Sequence, residues 1–320
     1  LLAAWKKVRS AGGRLVGCFP LYPPLELFHS FGLTPVVLWA MGDARPALAA
    51  SDAHVQPYAC RIARFLTGFV LDHGPGLFDA LFMYNACDTL RNLPEIVTQG
   101  LEARSAHIPF FRIHVPAVAP AGAHAPHYLQ ARVRTLIEGL ERFCRRPFSE
   151  TDFQASARLY SRQRSLCRSL EDLCAQGKIP FSLASPLLER AHHTDVETHI
   201  RELEEAIDQH RDSRPAVTGV RVMVSGIQAP PRRILEAIDA CGLVVASNDV
   251  ATMARTYASS PEPCPDVYGY LGRFYSAHHP CTTILPSSDL RLENLRSVIR
   301  RRRIRGFIVF AEKFCEYEYF

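Results

Sequence analysis

The chain has 320 residues, 48% of them hydrophobic and 22% charged, and a formal net charge of +5. That length supports two domains with their own cores, and that balance excludes a disordered chain. No apolar run reaches the roughly 18 residues of a transmembrane helix, and the modest charge does not suit a nucleic-acid binder, which spreads basic residues and aromatics over a face.

The first half alternates short apolar runs with helical stretches. RLVGCFP (14–20) reads as a strand, followed by a turn and a helix that ends at Gly32. TPVVLWA (34–40) is a second strand, RIARFLTGFVLDHG after Cys60 a helix, ALFMYNACD (80–88) a third strand and HIPFFRIHVP (107–116) a fourth. Near-continuous apolar strands separated by helices predict a parallel sheet covered on both faces. Residues from about 126 to 210 read as helical. There SETD (149–152) is a capping-box start for a long helix whose Cys167 and Cys174 fall on one stripe and read as core. RDSRPAVTG (211–219) is a turn-rich linker. A second α/β unit follows, with strands GVRVMVSG (219–226), GLVVASNDV (242–250) and GFIVFAEKFC (306–315), and helices at PRRILEAIDACG and 288–303. The run Arg300 to Arg303 with Arg305 ends that last helix, where cations suit the helix dipole.

The expected fold class is therefore α/β: two Rossmann-like or flavodoxin-like parallel-sheet domains with a helical segment between them. The boundaries read as 1–125, 126–215 and 216–320. No GxGxxG is present, so a dinucleotide is not implied.

Ten cysteines, at 18, 60, 87, 144, 167, 174, 241, 264, 281 and 315, show no CxxC and no zinc-type Cys/His pairing. The start, LLAAWKKVRSAGGRL, lacks the order of a secretory signal, so the expected compartment is the cytoplasm, where thiols stay reduced. Both ends of the chain read as cut. Reduced cysteines are small core hydrophobes, nucleophiles or metal ligands. Cys87 follows one predicted strand, Cys315 follows another, and Cys60 opens a helix. Ligands in open α/β sheets gather beyond the carboxyl ends of strands, so these three are candidates for a metal or cluster between the two domains.

Several segments together resemble the 2-hydroxyacyl-CoA dehydratase family, which also contains the subunits of ATP-dependent benzoyl-CoA reductase. GCFPLYPPLELFHSFGLTPV (17–36) resembles its early pattern, CRIAR (60–64) its cysteine-to-arginine motif and NACDTLRNL (85–93) its Cys-Asp motif. VRVMVSG, GLVVASND and HHPCTT (278–283) follow in the family's order, and KFCE (313–316) resembles the late Lys-Phe-Cys-acid motif. Two positions depart from it: Arg61 follows Cys60 where the family often has proline, and Ser161 stands where it usually has Asn, although Arg164 keeps its place.

The resemblance implies a [4Fe–4S] cluster in the interdomain cleft, held by Cys60, Cys87 and Cys315, with one iron left open. It implies a second homologous subunit, an ATP-hydrolysing iron-sulfur activator that delivers one electron, and an acyl-CoA substrate dehydrated through a ketyl radical. Subunits of aryl-CoA reductases are a close alternative. A non-catalytic electron-relay subunit and a cluster-free protein binding a nucleotide-like ligand are alternatives of other classes. Arg61, Arg64, Arg91 and Lys313 are placed to favour thiolates, and helix-start N–H groups to donate to cluster sulfides. Asp88 reads as a helix cap, Cys18 as core, Cys264 as a loop thiol, and Cys281, beside His278 and His279, as packing. Glu26 and His29 read as cap or surface residues, and Tyr22 as part of a turn that shapes the first loop.

Overall fold

The computed structural model describes residues 1–39, 48–116, 124–262, 264, 266–281 and 288–315. In chain order the elements of the first half are α1 (Leu2–Ser10), β1 (Leu15–Cys18), α2 (Leu25–Ser30), β2 (Thr34–Val37), α3 (Ala49–Asp52), α4 (Arg61–His73), β3 (Ala80–Tyr84), α5 (Asp88–Glu102) and β4 (Phe110–Ile113). Then come α6 (His124–Cys144), α7 (Glu150–Ala175), α8 (Phe181–Glu189), α9 (Val196–His210), β5 (Val220–Gly226), α10 (Arg232–Ala240), β6 (Leu243–Val250), α11 (Ala254–Tyr257), α12 (Val267–Ser276), α13 (Ser288–Arg302) and β7 (Gly306–Phe310). The fold is mixed α/β with parallel sheets, as the alternating apolar runs predict. Of the predicted strand 34–40, Ala40 lies outside the described residues.

By contacts the chain falls into two compact units. Unit 1 takes Leu1–Ala157, Glu262–Ser276 and Lys313–Phe320, and unit 2 takes Arg158–Pro261 and Ala277–Glu312.

Unit 1 holds a parallel sheet of order β2-β1-β3-β4. Every residue of β1 and β3 is buried, because helices cover both faces. Pro35, which has no N–H to give a ladder, sits on β2 at the edge of the sheet, where its loss is tolerated. Aromatic rings fill the core: Trp5 of α1 meets Phe69 of α4 edge-on at 6.4 Å, and Phe28 of α2 meets Phe82 of β3 at 5.1 Å. The SETD signal is realised at the start of α7, where the Ser149 hydroxyl accepts the Asp152 N–H at 3.2 Å.

Unit 2 holds a parallel sheet of order β6-β5-β7. Its first strand stands between the second and third, as in unit 1, so the two sheets share a winding. Cys167, Leu170 and Cys174 of α7 pack with residues of α8, α9, α10, β5 and β6 in one core, so both cysteines are core residues. Gly219 leads into β5 where its backbone meets the turn before β6: a Cβ there would lie 1.8 Å from the Gly242 carbonyl oxygen. Only glycine allows that approach.

Candidate functional site

The buried strand β3 ends in a turn, Asn85–Ala86–Cys87, that positions the first thiol. Asn85 fixes this turn from both sides of its amide. Its Nδ2 donates to the Val115 carbonyl at 3.0 Å, and its Oδ1 accepts the Val115 N–H at 2.7 Å. Cys87 has an extended backbone (φ −154°, ψ 172°) and is the N-cap of α5. Its Sγ accepts the Leu90 N–H at 3.4 Å, satisfying one of the donors that a helix start leaves open. The expected cap, Asp88, is one residue too late. It lies in the first turn and pairs at the surface with Arg91 at 3.3 Å.

Cys60 occupies the same position on α4, as its N-cap, without a capping bond from its side chain. Both thiols are half-buried. Burial pushes the Cys87 thiol up to about 11, and a charge on Cys60 pushes in the same direction, so the two groups sense each other. The Leu90 and Thr89 N–H groups oppose that rise. None of the cations expected to favour a thiolate figures among the causes. Arg64 pairs with Asp52 at 2.5 Å, Arg91 with Asp88, and the Lys313 ammonium lies 4.9 Å over the Phe314 ring.

Cys315 is half-buried. Its segment, from Lys313, belongs to unit 1, whereas β7 belongs to unit 2. All three cysteines thus lie in one unit, although the chain pattern assigns Cys315 to the second α/β unit. Among the described residues no three His, Cys, Asp or Glu side chains gather closely enough to hold a metal ion. Cys60 and Cys87 are close enough to feel each other's charge, and Cys315 does not complete a three-thiol group with them. Glu316 of the KFCE motif lies outside the described residues, as do Thr282 and Thr283 of HHPCTT.

The other candidates stand partly where expected and partly not. Glu26 is fully buried rather than at the surface, and its Oε1 accepts the Tyr270 hydroxyl hydrogen bond at 2.9 Å. The Nδ1 atom of His29 lies 2.8 Å from the Ser156 hydroxyl. Tyr22 is buried, and its carbonyl accepts from the Tyr275 hydroxyl at 3.2 Å. Cys18 is core, and Cys281 is buried with Arg255 Nη1 at 3.7 Å from its Sγ. His278 is also buried; its Nδ1 donates to the His279 carbonyl at 2.9 Å, and burial drives its pKa down to about 3. Cys264 is half-buried.

Two buried polar networks of unit 2 escape the pattern reading. Asp249 of β6 accepts from Arg255, Arg291 and Ser225. Glu171 of α7 accepts from the Ser247 hydroxyl, the Asn248 N–H and the Tyr257 hydroxyl. The available signal is the polar triplet Ser247–Asn248–Asp249 at the end of an otherwise apolar strand.

Residues 20–320 match the family described as 2-hydroxyglutaryl-CoA dehydratase, D-component. The chain belongs to this family. The (R)-phenyllactyl-CoA dehydratase beta subunit of Clostridium sporogenes is 22% identical, over 98% of this chain and 83% of that protein. The beta subunit of the (R)-2-hydroxyglutaryl-CoA dehydratase of Acidaminococcus fermentans is 24% identical over the same shares. A benzoyl-CoA reductase subunit of Thauera aromatica is 23% identical, over 98% of this chain and 81% of that one. The D-component family thus gathers enzyme subunits of both dehydratase and reductase type, and Cys60, Cys87 and Cys315 all fall within its matched span. No helix among the described residues is long and apolar enough to cross a membrane.

Proposed function

We propose that this D-component family chain is the iron–sulfur subunit of a 2-hydroxyacyl-CoA dehydratase-type enzyme, with Cys60, Cys87 and Cys315 as the ligands of a [4Fe–4S] cluster. The observation that carries the reading is the parallel placement of Cys60 and Cys87: two half-buried thiols, each the N-cap of its own helix. Thiolates at helix N-termini face backbone N–H groups, the donors that tune iron–sulfur clusters. The donor set fits in part, because Cys315 shares the unit but does not close a group of three with the pair.

The cluster that Cys60, Cys87 and Cys315 would hold would supply one-electron reducing chemistry at low potential, delivered by an ATP-hydrolysing activator, for dehydration of an acyl-CoA through a ketyl radical. The chain's own residues bind and orient. Asn85 locks the turn beneath Cys87, the Leu90 N–H fixes its sulfur, and the caps set the entry of α4 and α5. The partners in this reading are a second homologous subunit, the activator and an acyl-CoA, in the cytoplasm.

Purified without oxygen, the chain is expected to carry about four irons and four sulfides, the content of one cube. Cys87→Ser is expected to lose them. A colourless, iron-free and fully folded protein overturns the reading, and full iron content in Cys87→Ser removes that residue from the ligand set. The 23% identity to a benzoyl-CoA reductase subunit supports a second reading, aromatic ring reduction. Assays of the reconstituted complex for 2-hydroxyacyl-CoA dehydration and for benzoyl-CoA reduction separate the two.

A further inference from the structure

Unit 2 contains a cavity of about 410 Å³ beside Ser247, Asn248 and Asp249, the carboxyl half of β6. One wall is α7 and the other is α13. Its size falls within the ~300–1,000 Å³ of small-molecule sites, and its place at the end of a parallel strand is where α/β sheets gather ligands.

The charge in this cavity is uneven. Its three carboxylates are already engaged within the protein. Asp172 pairs with Arg302, Asp249 with Arg255 and Arg291, and Glu171 accepts from Ser247, Asn248 and Tyr257. Burial also raises the Glu171 carboxyl above its ordinary range. The cations are less committed. Arg168 on α7 and Arg301 on α13 line the cavity from its two walls, and among the described residues neither forms an ion pair. Arg168 is aimed by a hydrogen bond from its Nη1 to the Tyr257 carbonyl. Asn294 and His279, 3.4 Å apart, add polar groups. Met223, Leu295 and Val298 form an apolar floor.

A metal cation finds no open carboxylate here. A phosphate finds two guanidinium forks, which match its oxygens in geometry and charge. An apolar floor beside them suits an organic moiety attached to that phosphate. We propose that the unit 2 cavity is a binding site for a phosphate-bearing organic ligand of nucleotide size, with Arg168 and Arg301 on the phosphate and Leu295 and Val298 under the organic part. Every residue that lines the site belongs to unit 2.

The source of the phosphate is either a free nucleotide or the phosphorylated adenosine end of coenzyme A. Calorimetric titration of the full chain with ADP, free coenzyme A and adenosine tests both the site and the source. The expected result is saturable binding of ADP, coenzyme A or both, at least tenfold weaker for adenosine. ADP alone assigns a free nucleotide, and coenzyme A alone assigns the cofactor end. Arg301→Glu is the decisive variant, because Arg301 is exposed and its change leaves the core intact. It is expected to weaken binding at least tenfold with an unchanged melting temperature. Ser169→Glu, on the opposite wall, is a second variant with the same expectation. No binding of ADP or coenzyme A at millimolar concentration overturns the proposal. So does binding that neither variant weakens.

Discussion

Arg255 closes on Asp249 with two side-chain hydrogen bonds, Nε to Oδ1 at 2.9 Å and Nη2 to Oδ2 at 3.0 Å, and neither side chain is more than 3% exposed. Arg291 adds a third bond to the same carboxylate at 2.8 Å. A buried charge left without its partner costs far more than a surface one. Asp249→Asn is therefore expected to destabilise the protein by about 3–5 kcal/mol, the range for breaking one side of a buried pair. Urea unfolding measures it; an unchanged midpoint would show that the ion pair does not hold the end of β6.

Acid should weaken the fold well above the carboxylate range. His192 is buried, donates from Nε2 to the Thr252 carbonyl at 2.6 Å, and has its pKa driven down by burial to about 4. An unfolded histidine titrates near about 6.5. Between those values the unfolded chain binds the extra proton, so stability is complete above roughly pH 6.5 and falls as pH drops toward 4. The loss attributable to His192 is on the order of 3 kcal/mol over that window. Unfolding midpoints at pH 7 and pH 5 check the slope, and His192→Gln is expected to flatten it.

Asn85 is a positioning residue for Cys87. Its amide makes two hydrogen bonds to the Val115 backbone, and each contributes about 0.5–1.5 kcal/mol. Asn85→Ala is expected to cost about 1–3 kcal/mol and to lower the iron retained after anaerobic reconstitution. Asn85→Asp keeps the acceptor for the Val115 N–H and should retain more iron than the alanine variant. Equal iron in all three proteins would leave Asn85 with a purely structural role.

Cys281 offers a control for the ligand set. It is buried beside Arg255 in unit 2, whereas Cys60, Cys87 and Cys315 belong to unit 1. Cys281→Ala should keep full iron content and lose stability by about 1–2 kcal/mol, the scale for emptying a small buried side chain. Loss of iron in this variant would redraw the ligand set.

The close approach at Gly219 gives a backbone test. A methyl group there meets the Gly242 carbonyl at 1.8 Å, beside the first β5–β6 pair, Val220 with Leu243, so one backbone must shift next to the ladder. Gly219→Ala is expected to be among the most destabilising single changes, above about 3 kcal/mol. A melting temperature within a degree or two of the parent protein would refute that.

The strands are the most legible part of this chain. A parallel strand covered on both faces is a continuous apolar run, and ALFMY and the LVVA half of LVVASNDV read that way without help. Most runs are longer than the strands they hold: HIPFFRIHVP shrinks to Phe110–Ile113, ALFMYNACD to Ala80–Tyr84, RLVGCFP to Leu15–Cys18 and GFIVFAEKFC to Gly306–Phe310. The site is legible in its addresses and less so in its contacts. That Cys87 follows a strand and Cys60 opens a helix is local information. That Cys87 itself caps α5 depends on the extended backbone at one residue. Local pattern misplaces Glu26 for a plainer reason: the tyrosine that buries it is 244 positions away. No local period records such a partner. Two of the arginines near the cysteines pair with acids of their own, Arg64 with Asp52 and Arg91 with Asp88.

The three-segment make-up of unit 1 sets an order of events during synthesis. Its first 157 residues carry the whole β2-β1-β3-β4 sheet and the paired thiols of Cys60 and Cys87. They leave the ribosome long before α12, whose Tyr270 and Tyr275 close over Glu26 and Tyr22. At roughly 5–20 residues per second, that interval lasts several seconds. During it Glu26 faces water or chaperone instead of its tyrosine. Cys315 arrives later still, after β7. Until then the proposed ligand set lacks Cys315, and stray oxidants or adventitious metals meet Cys60 and Cys87 without it.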